Sequence, residues 1–443
     1  MRMRGLRIWT MLTLIFISLL LMVVQSSSQS PRIIQISAAG QSCLALADDG
    51  SVWEWGSNWR GELTGNASDG HQAPIRVPTN NVVAISAGGF QNLALKDDGT
   101  VWAWGALGGD LSNGTFTPVK IPISNVKAIY NGELCSFALK NDGTLWSWGF
   151  NYNGQLGDGT YASSSFPVQI PLANISYVDA NGVFAISDDG DVWAWGNNLY
   201  ATWGNINFYG RLGDNLTNES YPTPFKMADL NGVSSISSGA AHVLVLMKNG
   251  SIMAWGLNDK GQLGNGRLSD PWTYENKPIL LNLDNVKAIS AGREDSLALK
   301  SDGTVWTWGL EENHSINPSP RQVAGLTNVI AISAGDTHYM ALKSDGTVWV
   351  FGSVGRGQAG KATIEDYLYT PIQVNINFSS QAPNDVSNQT INVYNQTIGC
   401  QPISIAQIPI LSPNLMGTII IKVLGVIGII VLLGGIIYLI KRK

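Results

Sequence analysis

An all-β fold, a seven-bladed β-propeller of four-stranded blades, is what this sequence predicts, and three observations carry the prediction. A phrase of the form Asp-Gly-Thr-Val-Trp-x-Trp-Gly, represented by Asp98-Gly-Thr-Val-Trp-Ala-Trp-Gly105, recurs seven times. Its turn glycines, Gly50, Gly99, Gly143, Gly190, Gly250, Gly303 and Gly346, lie 49, 44, 47, 60, 53 and 43 residues apart. Between copies stand short alternating apolar runs and glycine-rich turns, with no helical periodicity. A period of this length marks an array of units, each too small to bury a core of its own. Seven units of four short strands make a propeller.

The second unit shows how each element arises. Val82-Val-Ala-Ile-Ser-Ala-Gly88 alternates and ends at glycine, which reads as a first strand. Asn92-Leu-Ala-Leu-Lys96 reads as a second. Asp98-Gly99 is a tight turn, because glycine tolerates positive φ and aspartate bonds its own backbone. Thr100-Val-Trp-Ala-Trp104 is a third strand, rich in β-branched and aromatic residues. A loop follows, then Pro118-Val-Lys-Ile121 as a short edge strand, where proline is tolerated.

The Trp-x-Trp pair has a physical reason. Residues i and i+2 of a strand face one side, so paired indoles can fill the wedge between blades. Twelve of the sixteen tryptophans lie in this motif, and their identical placement favours packing over a stacking platform for a ligand.

Gly149-Phe-Asn-Tyr-Asn-Gly-Gln-Leu-Gly-Asp-Gly-Thr160, repeated as Gly256-Leu-Asn-Asp-Lys-Gly-Gln-Leu-Gly-Asn-Gly266, closely resembles the signature loop of the regulator-of-chromosome-condensation repeat family. The segment Gly335 to Gly346, with His338, matches a second family segment, and His242 stands in the equivalent place before Gly250. The resemblance covers roughly residues 32–374. It implies seven blades with the signature loops at one end. Blade six departs, with Glu311-Glu-Asn-His-Ser-Ile-Asn-Pro-Ser-Pro320 in place of the loop. Blade two has a degenerate version and blade seven keeps only Gly357-Gln-Ala-Gly360. The family includes a nuclear exchange factor for a small GTPase, a role that charge and compartment argue against here. It also includes secreted proteins that bind proteins, an inhibitor of β-lactamases among them.

The two ends suggest where the chain resides. Met1-Arg-Met-Arg-Gly-Leu-Arg-Ile8, an apolar run from Met11 to Val24 and a small polar stretch describe a secretory signal peptide over residues 1–28. The propeller is assigned to 32–374 and an Asn/Gln/Ser/Thr-rich stalk to 375–417. An apolar segment over 418–440 is long enough to span a bilayer once, and the basic tail 441–443 places its end in the cytoplasm. A cell-membrane, single-pass protein with an extracellular or luminal propeller is the expectation. Glycosylation sequons at Asn66, Asn113, Asn174, Asn215, Asn218, Asn313, Asn377, Asn388 and Asn395 suit an exported glycoprotein. Another, at Asn249, falls in a structural turn.

Composition excludes some functions. The net charge is −5 and charged residues make up 13% of the chain, so no basic field for nucleic acid exists. Of three cysteines, Cys43 and Cys135 fall in second strands of non-adjacent blades and read as buried thiols. Cys400, in the stalk, could link two chains into a dimer. His242 and His338 are expected to satisfy local backbone bonds, and His71 and His314 lie in loops without an evident partner. No catalytic, metal or cofactor motif is present.

What stands out is irregularity. The loop of blade four, Asn197 to Gly210, carries Leu199, Tyr200, Trp203, Phe208 and Tyr209 off the template. Blade five adds Trp272 and Tyr274, and blade one places Trp59-Arg60 in its loop. Corresponding loops emerge at one end of a propeller, so these residues could form a recognition patch or fold down onto their own blades. The reading is a non-catalytic binding module for a protein or surface glycan. An extracytoplasmic lyase or glycosidase using the central funnel, or a structural coat component, are the alternatives.

Overall fold

The computed structural model describes residues 30–379, apart from short segments at 59–62, 65–70, 108–113, 182, 204–205, 210, 214–219, 229, 271–273, 311–314 and 362–365. Seven four-stranded antiparallel sheets follow one another, and each is built from one contiguous stretch of chain. No strand is exchanged between the first and last blades among the described residues. The innermost strands are Ile33–Ala39, Val82–Ala87, Val126–Asn131, Ile175–Asp179, Val233–Ser238, Val286–Ala291 and Val329–Ala334. In blade two the second strand is Gln91–Lys96, the third Val101–Ala106 and the outer Gly114–Lys120, longer than the short edge strand expected. Because neighbours run antiparallel, the turns after the first strands and the loops after the third strands emerge at the same end.

The repeated phrase is a hydrogen-bonded relay. Asp98 Oδ1 accepts from the backbone N–H and the hydroxyl of Thr100, at 2.9 and 2.6 Å. Thr100 Oγ1 in turn accepts from Trp102 Nε1 at 3.2 Å. The same Asp–Thr–Trp relay stands in blades three, six and seven, and blade one has Asp49, Ser51 and Trp53. Gly99 takes φ +76°, which only glycine adopts without strain.

The two indoles of the motif differ, where the sequence suggested one shared role. The second tryptophan is buried in every blade that has it, and Phe351 takes its place in blade seven. The first is half-buried in blades two, three, four, six and seven. Over four of these sits a lysine from the second strand: Lys96 lies 4.2 Å from the Trp102 ring centre and Lys343 4.0 Å from that of Trp349, with Lys140 and Lys300 similarly placed. Blade one has Ala47 at that position. There Phe378 meets Trp53 edge-on at 5.6 Å, and Ile376 and Phe378 pack against the core shared by blades one and seven. Residues assigned to the stalk thus begin as part of the propeller.

Every outer strand carries a proline: Pro74, Pro118, Pro167, Pro224, Pro278, Pro320 and Pro371. Each precedes the residue that pairs with the centre of the Trp-x-Trp motif, where the register shifts. Proline lacks the N–H that an exposed edge would offer to another strand. Among the described residues no helix is long and apolar enough to cross a membrane, and both terminal apolar runs lie outside them.

Candidate functional site: the loop face and central funnel

Three layers of contacts between blades build this end of the molecule. The first is a serine belt on the innermost strands. Ser37, Ser86, Ser237, Ser290 and Ser333 each accept a backbone N–H from the next blade, at 2.8 to 3.0 Å. Blade four has Asp179 instead, whose Oδ1 accepts from Ser238 N at 3.3 Å. Blade three has Tyr130, whose hydroxyl reaches Ser176 O at 3.4 Å. Burial pushes the Tyr130 phenol up to about 12.

The second layer joins second strands. His242 Nε2 lies 2.8 Å from Ser296 Oγ, and Gln91 Nε2 donates to Ser136 Oγ at 2.5 Å. His338 Nε2 lies 3.2 Å from Cys43 Sγ across the junction of blades seven and one. The two histidines therefore bridge blades, not their own local backbone as expected. Burial holds His242 near 3 and His338 near 4, so both are neutral at pH 7. It also raises the Asp295 carboxyl far above its ordinary range. Cys43 and Cys135 are free buried thiols, held protonated by burial.

The third layer seats four of the second tryptophans on the loop of the preceding blade. Trp195 Nε1 donates to Gln155 O, Trp308 Nε1 to Gln262 O and Trp55 Nε1 to Gln358 O, at 2.8 to 2.9 Å. Trp255 Nε1 donates to Arg211 O at 3.0 Å. The loop glycine must be bare: a Cβ on Gly264, at φ +72°, would stand 2.6 Å from Trp308 Nε1. Trp148 follows blade two, whose loop is degenerate, and its N–H has no partner among the described residues. Phe351 follows blade six, which lacks the loop, and it has no N–H to satisfy.

These contacts frame a central funnel of about 550 Å³. Five of its walls are the serines of the belt, joined by Ser238 of blade five. At its mouth stand Gly40, Gly89, Glu133, Ala240, Arg293 and Asp336, one from each blade but the fourth. Blade four contributes Asn181 and Arg211. In blades three, five and seven the signature-loop glutamine folds back onto its own turn: the side-chain oxygens of Gln155, Gln262 and Gln358 accept from Asn153, Lys260 and Arg356 N. Arg211 replaces that glutamine and instead donates from Nη2 to Asn181 O at 2.6 Å. The acids Glu133 and Asp336 belong to blades three and seven, with the glycines of blades one and two between them. No metal-holding cluster occurs among the described residues.

The aromatic patch is only partly visible. Leu199–Trp203 and Ile206–Tyr209 form a two-stranded antiparallel sheet on blade four, pairing Trp203 with Ile206 and Leu199 with Tyr209. This carries Tyr200, Trp203, Phe208 and Tyr209 on a hairpin at the loop end, where the sequence indicated a loop. Tyr274 opens the outer strand of blade five and is half-buried. Trp59, Arg60 and Trp272 lie outside the described residues, as do Asn66, Asn113, Asn215, Asn218, Asn313, Asn388, Asn395, His314 and Cys400. Asn174 and Asn377 are exposed, and Asn377 Oδ1 accepts from Ser379 N and Oγ. Two aromatics of the same end were missed: Tyr152 is 72% exposed and Tyr161 50%, both in the blade-three loop. Their position inside a signature loop disguised them as scaffold.

This architecture is that of a seven-bladed repeat propeller with its signature loops at one end. Residues 20–318 match the RCC1-like domain and 329–358 the regulator of chromosome condensation (RCC1) repeat, and the chain belongs to this family. It is 37% identical over 119 residues to the human E3 ubiquitin-protein ligase HERC2, covering 26% of this chain and 2% of that one. It is 33% identical over 106 residues to protein pim1 of Schizosaccharomyces pombe, covering 21% and 20%. Its match to the ultraviolet-B receptor UVR8 of Arabidopsis thaliana is 30% over 109 residues, 24% of each. The chain thus spans a quarter or less of these relatives' lengths. Among solved structures, yeast RCC1 (Prp20) bound to Kap60 superposes with a TM-score of 0.63 at 23% identity, over 77% of this chain and 86% of that one. Human WBSCR16 superposes at 0.62 and 20% identity, over 74% and 95%. Prp20p of Saccharomyces cerevisiae, described with its binding to Gsp1p and histones, gives 0.59 at 23%, over 68% and 80%.

Proposed function

We propose that the chain is a non-catalytic binding module that takes a protein partner on its loop face. The observation that carries this is the pairing of a hairpin added to blade four with the exposed Tyr152 and Tyr161 of blade three on the same end. Tyrosine and tryptophan give large contact area at low entropic cost, and exposed aromatics beside a rigid scaffold are what an interface uses. Solved structures of this fold are described bound to Kap60 and with binding to Gsp1p and histones. The terminal sequences support display outside the cell on a single span, with the propeller extracellular and its sequons glycosylated.

The test is capture from a native surface extract by the full-length chain. One variant carries Tyr152→Ala and Tyr161→Ala, and a second carries Tyr200→Ala, Trp203→Ala and Trp272→Ala. A partner held by wild type and lost by an equally stable variant supports the reading. A partner retained by both variants removes the loop face from consideration. Protease added to intact cells separately tests topology, since an external propeller is cut and a cytoplasmic one is spared.

A further inference from the structure

The funnel holds hydrogen-bond donors that the fold itself does not use. Ser37, Ser86, Ser237, Ser290 and Ser333 each accept an N–H through Oγ and have no acceptor for their own hydroxyl proton among the described residues. Ser238 is 1% exposed and lines the cavity, yet its Oγ has no partner among the described residues. Arg211 Nε is buried and unpaired in the same wall, while its Nη2 is fixed on Asn181 O. Arg293 lines the cavity and makes no ion pair among the described residues. A buried donor without an acceptor costs free energy, as at Ser238 Oγ and Arg211 Nε, and the half-buried belt serines add hydroxyl protons that ligand oxygens in the same cavity can accept.

We propose that the central funnel binds a small polar carboxylate, of amino-acid or sugar-acid size, with its carboxylate on Arg211 and Arg293 and its remaining polar groups on the serine hydroxyls. A cavity of about 550 Å³ suits such a ligand. Arginine pairs with carboxylates through two parallel bonds, which fixes orientation as well as charge. Glu133 and Asp336 at the mouth disfavour multiply charged anions and favour a ligand that also carries an ammonium or hydroxyl group. The carboxylate can belong to a free small molecule or to an acidic side chain inserted by a protein. No aromatic residue lines the funnel among the described residues, so either reading can fail without the other.

The test is equilibrium dialysis of the full-length chain against glucuronate, glutamate and a terminally blocked Gly-Glu-Gly peptide. It is repeated with Arg211→Gln, which restores the residue of the other signature loops, and with Arg293→Gln. Saturable binding of one probe, weakened at least about tenfold in both variants at unchanged melting temperature, is the expected result. Binding of glucuronate or glutamate identifies a free ligand, and binding of the peptide alone identifies a partner's side chain. Absence of saturable binding by all three probes, or equal binding by wild type and both variants, overturns the proposal. Should Arg211→Gln fail to fold, the Arg293→Gln result decides.

Discussion

Trp104 Nε1 donates to Glu54 Oε2 at 2.8 Å across the junction of blades one and two. The other carboxylate oxygen accepts the backbone N–H and the hydroxyl of Thr64. Glu54 thus does in blade one what the backbone carbonyl of a signature-loop residue does elsewhere, by a carboxylate placed between the two tryptophans of its own motif. Burial raises this carboxyl from 4.5 to about 7, against the opposing effect of its bonds to Thr64 and Trp104. Between those values the folded chain holds a proton that the unfolded chain has released. Stability from this group therefore falls as pH rises from about 4.5 to about 7, by on the order of 3 kcal/mol. Relative to Glu54→Gln, the wild type should be more stable at about pH 5 than at about pH 8, as measured by urea unfolding. A pH-independent difference contradicts the assignment.

The histidines act with the opposite sign. His338 and His242 are depressed to about 4 and about 3, so their contribution is complete above about pH 6.5 and is lost as pH falls toward those values. Each loses about 1.4 kcal/mol per pH unit in that window, and together they outweigh Glu54. Gln91 already makes the equivalent contact in blade two without titrating. His242→Gln should therefore lower the pH of half-unfolding in an acid titration followed by circular dichroism.

Equivalent tryptophans should respond unequally to the loss of their N–H. Trp195 donates to Gln155 O, whereas the N–H of Trp148 has no partner among the described residues. Trp195→Phe should cost about 1 kcal/mol more than Trp148→Phe, since it also strands a buried carbonyl. Trp148→Ala should still cost about 3–5 kcal/mol as a cavity. Denaturant melts of the three variants check both statements.

Much of this was legible in the sequence, and the limits have physical causes. The Asp-Gly-Thr turn, the strand order and the blade count are local and recur seven times, so Gly99 and Trp104 announced themselves. The serine belt, the His242–Ser296 bridge and the Trp195–Gln155 contact were hidden because they join residues 40 to 59 positions apart, or 295 where blade seven meets blade one, and a period does not say what touches across it. The funnel donors were hidden for a related reason, since Arg211 differs from Gln155 and Gln262 by one substitution whose new direction only packing reveals. Glu54, a charge in an apolar strand, was the one signal that sequence alone could have raised.

The segment after the last blade should carry structural weight. Phe378 covers Trp53 where other blades use a lysine. Phe378→Ala should reduce stability by about 1–2 kcal/mol. It should also accelerate amide exchange in Ile33–Ala39 and Val348–Ser353 before other strands. Uniform acceleration across all blades would assign Phe378 no role at this junction.

The meeting of blades seven and one has a consequence for the chain's history. Ser333 with Ala38, His338 with Cys43 and Gln358 with Trp55 are the belt, bridge and tryptophan seat found at other junctions. The junction that closes the ring is therefore chemically like the others in these three contacts, and no exchanged strand latches the first blade to the last among the described residues. Novelty is free to collect in the loops of single units, as it has in the fourth.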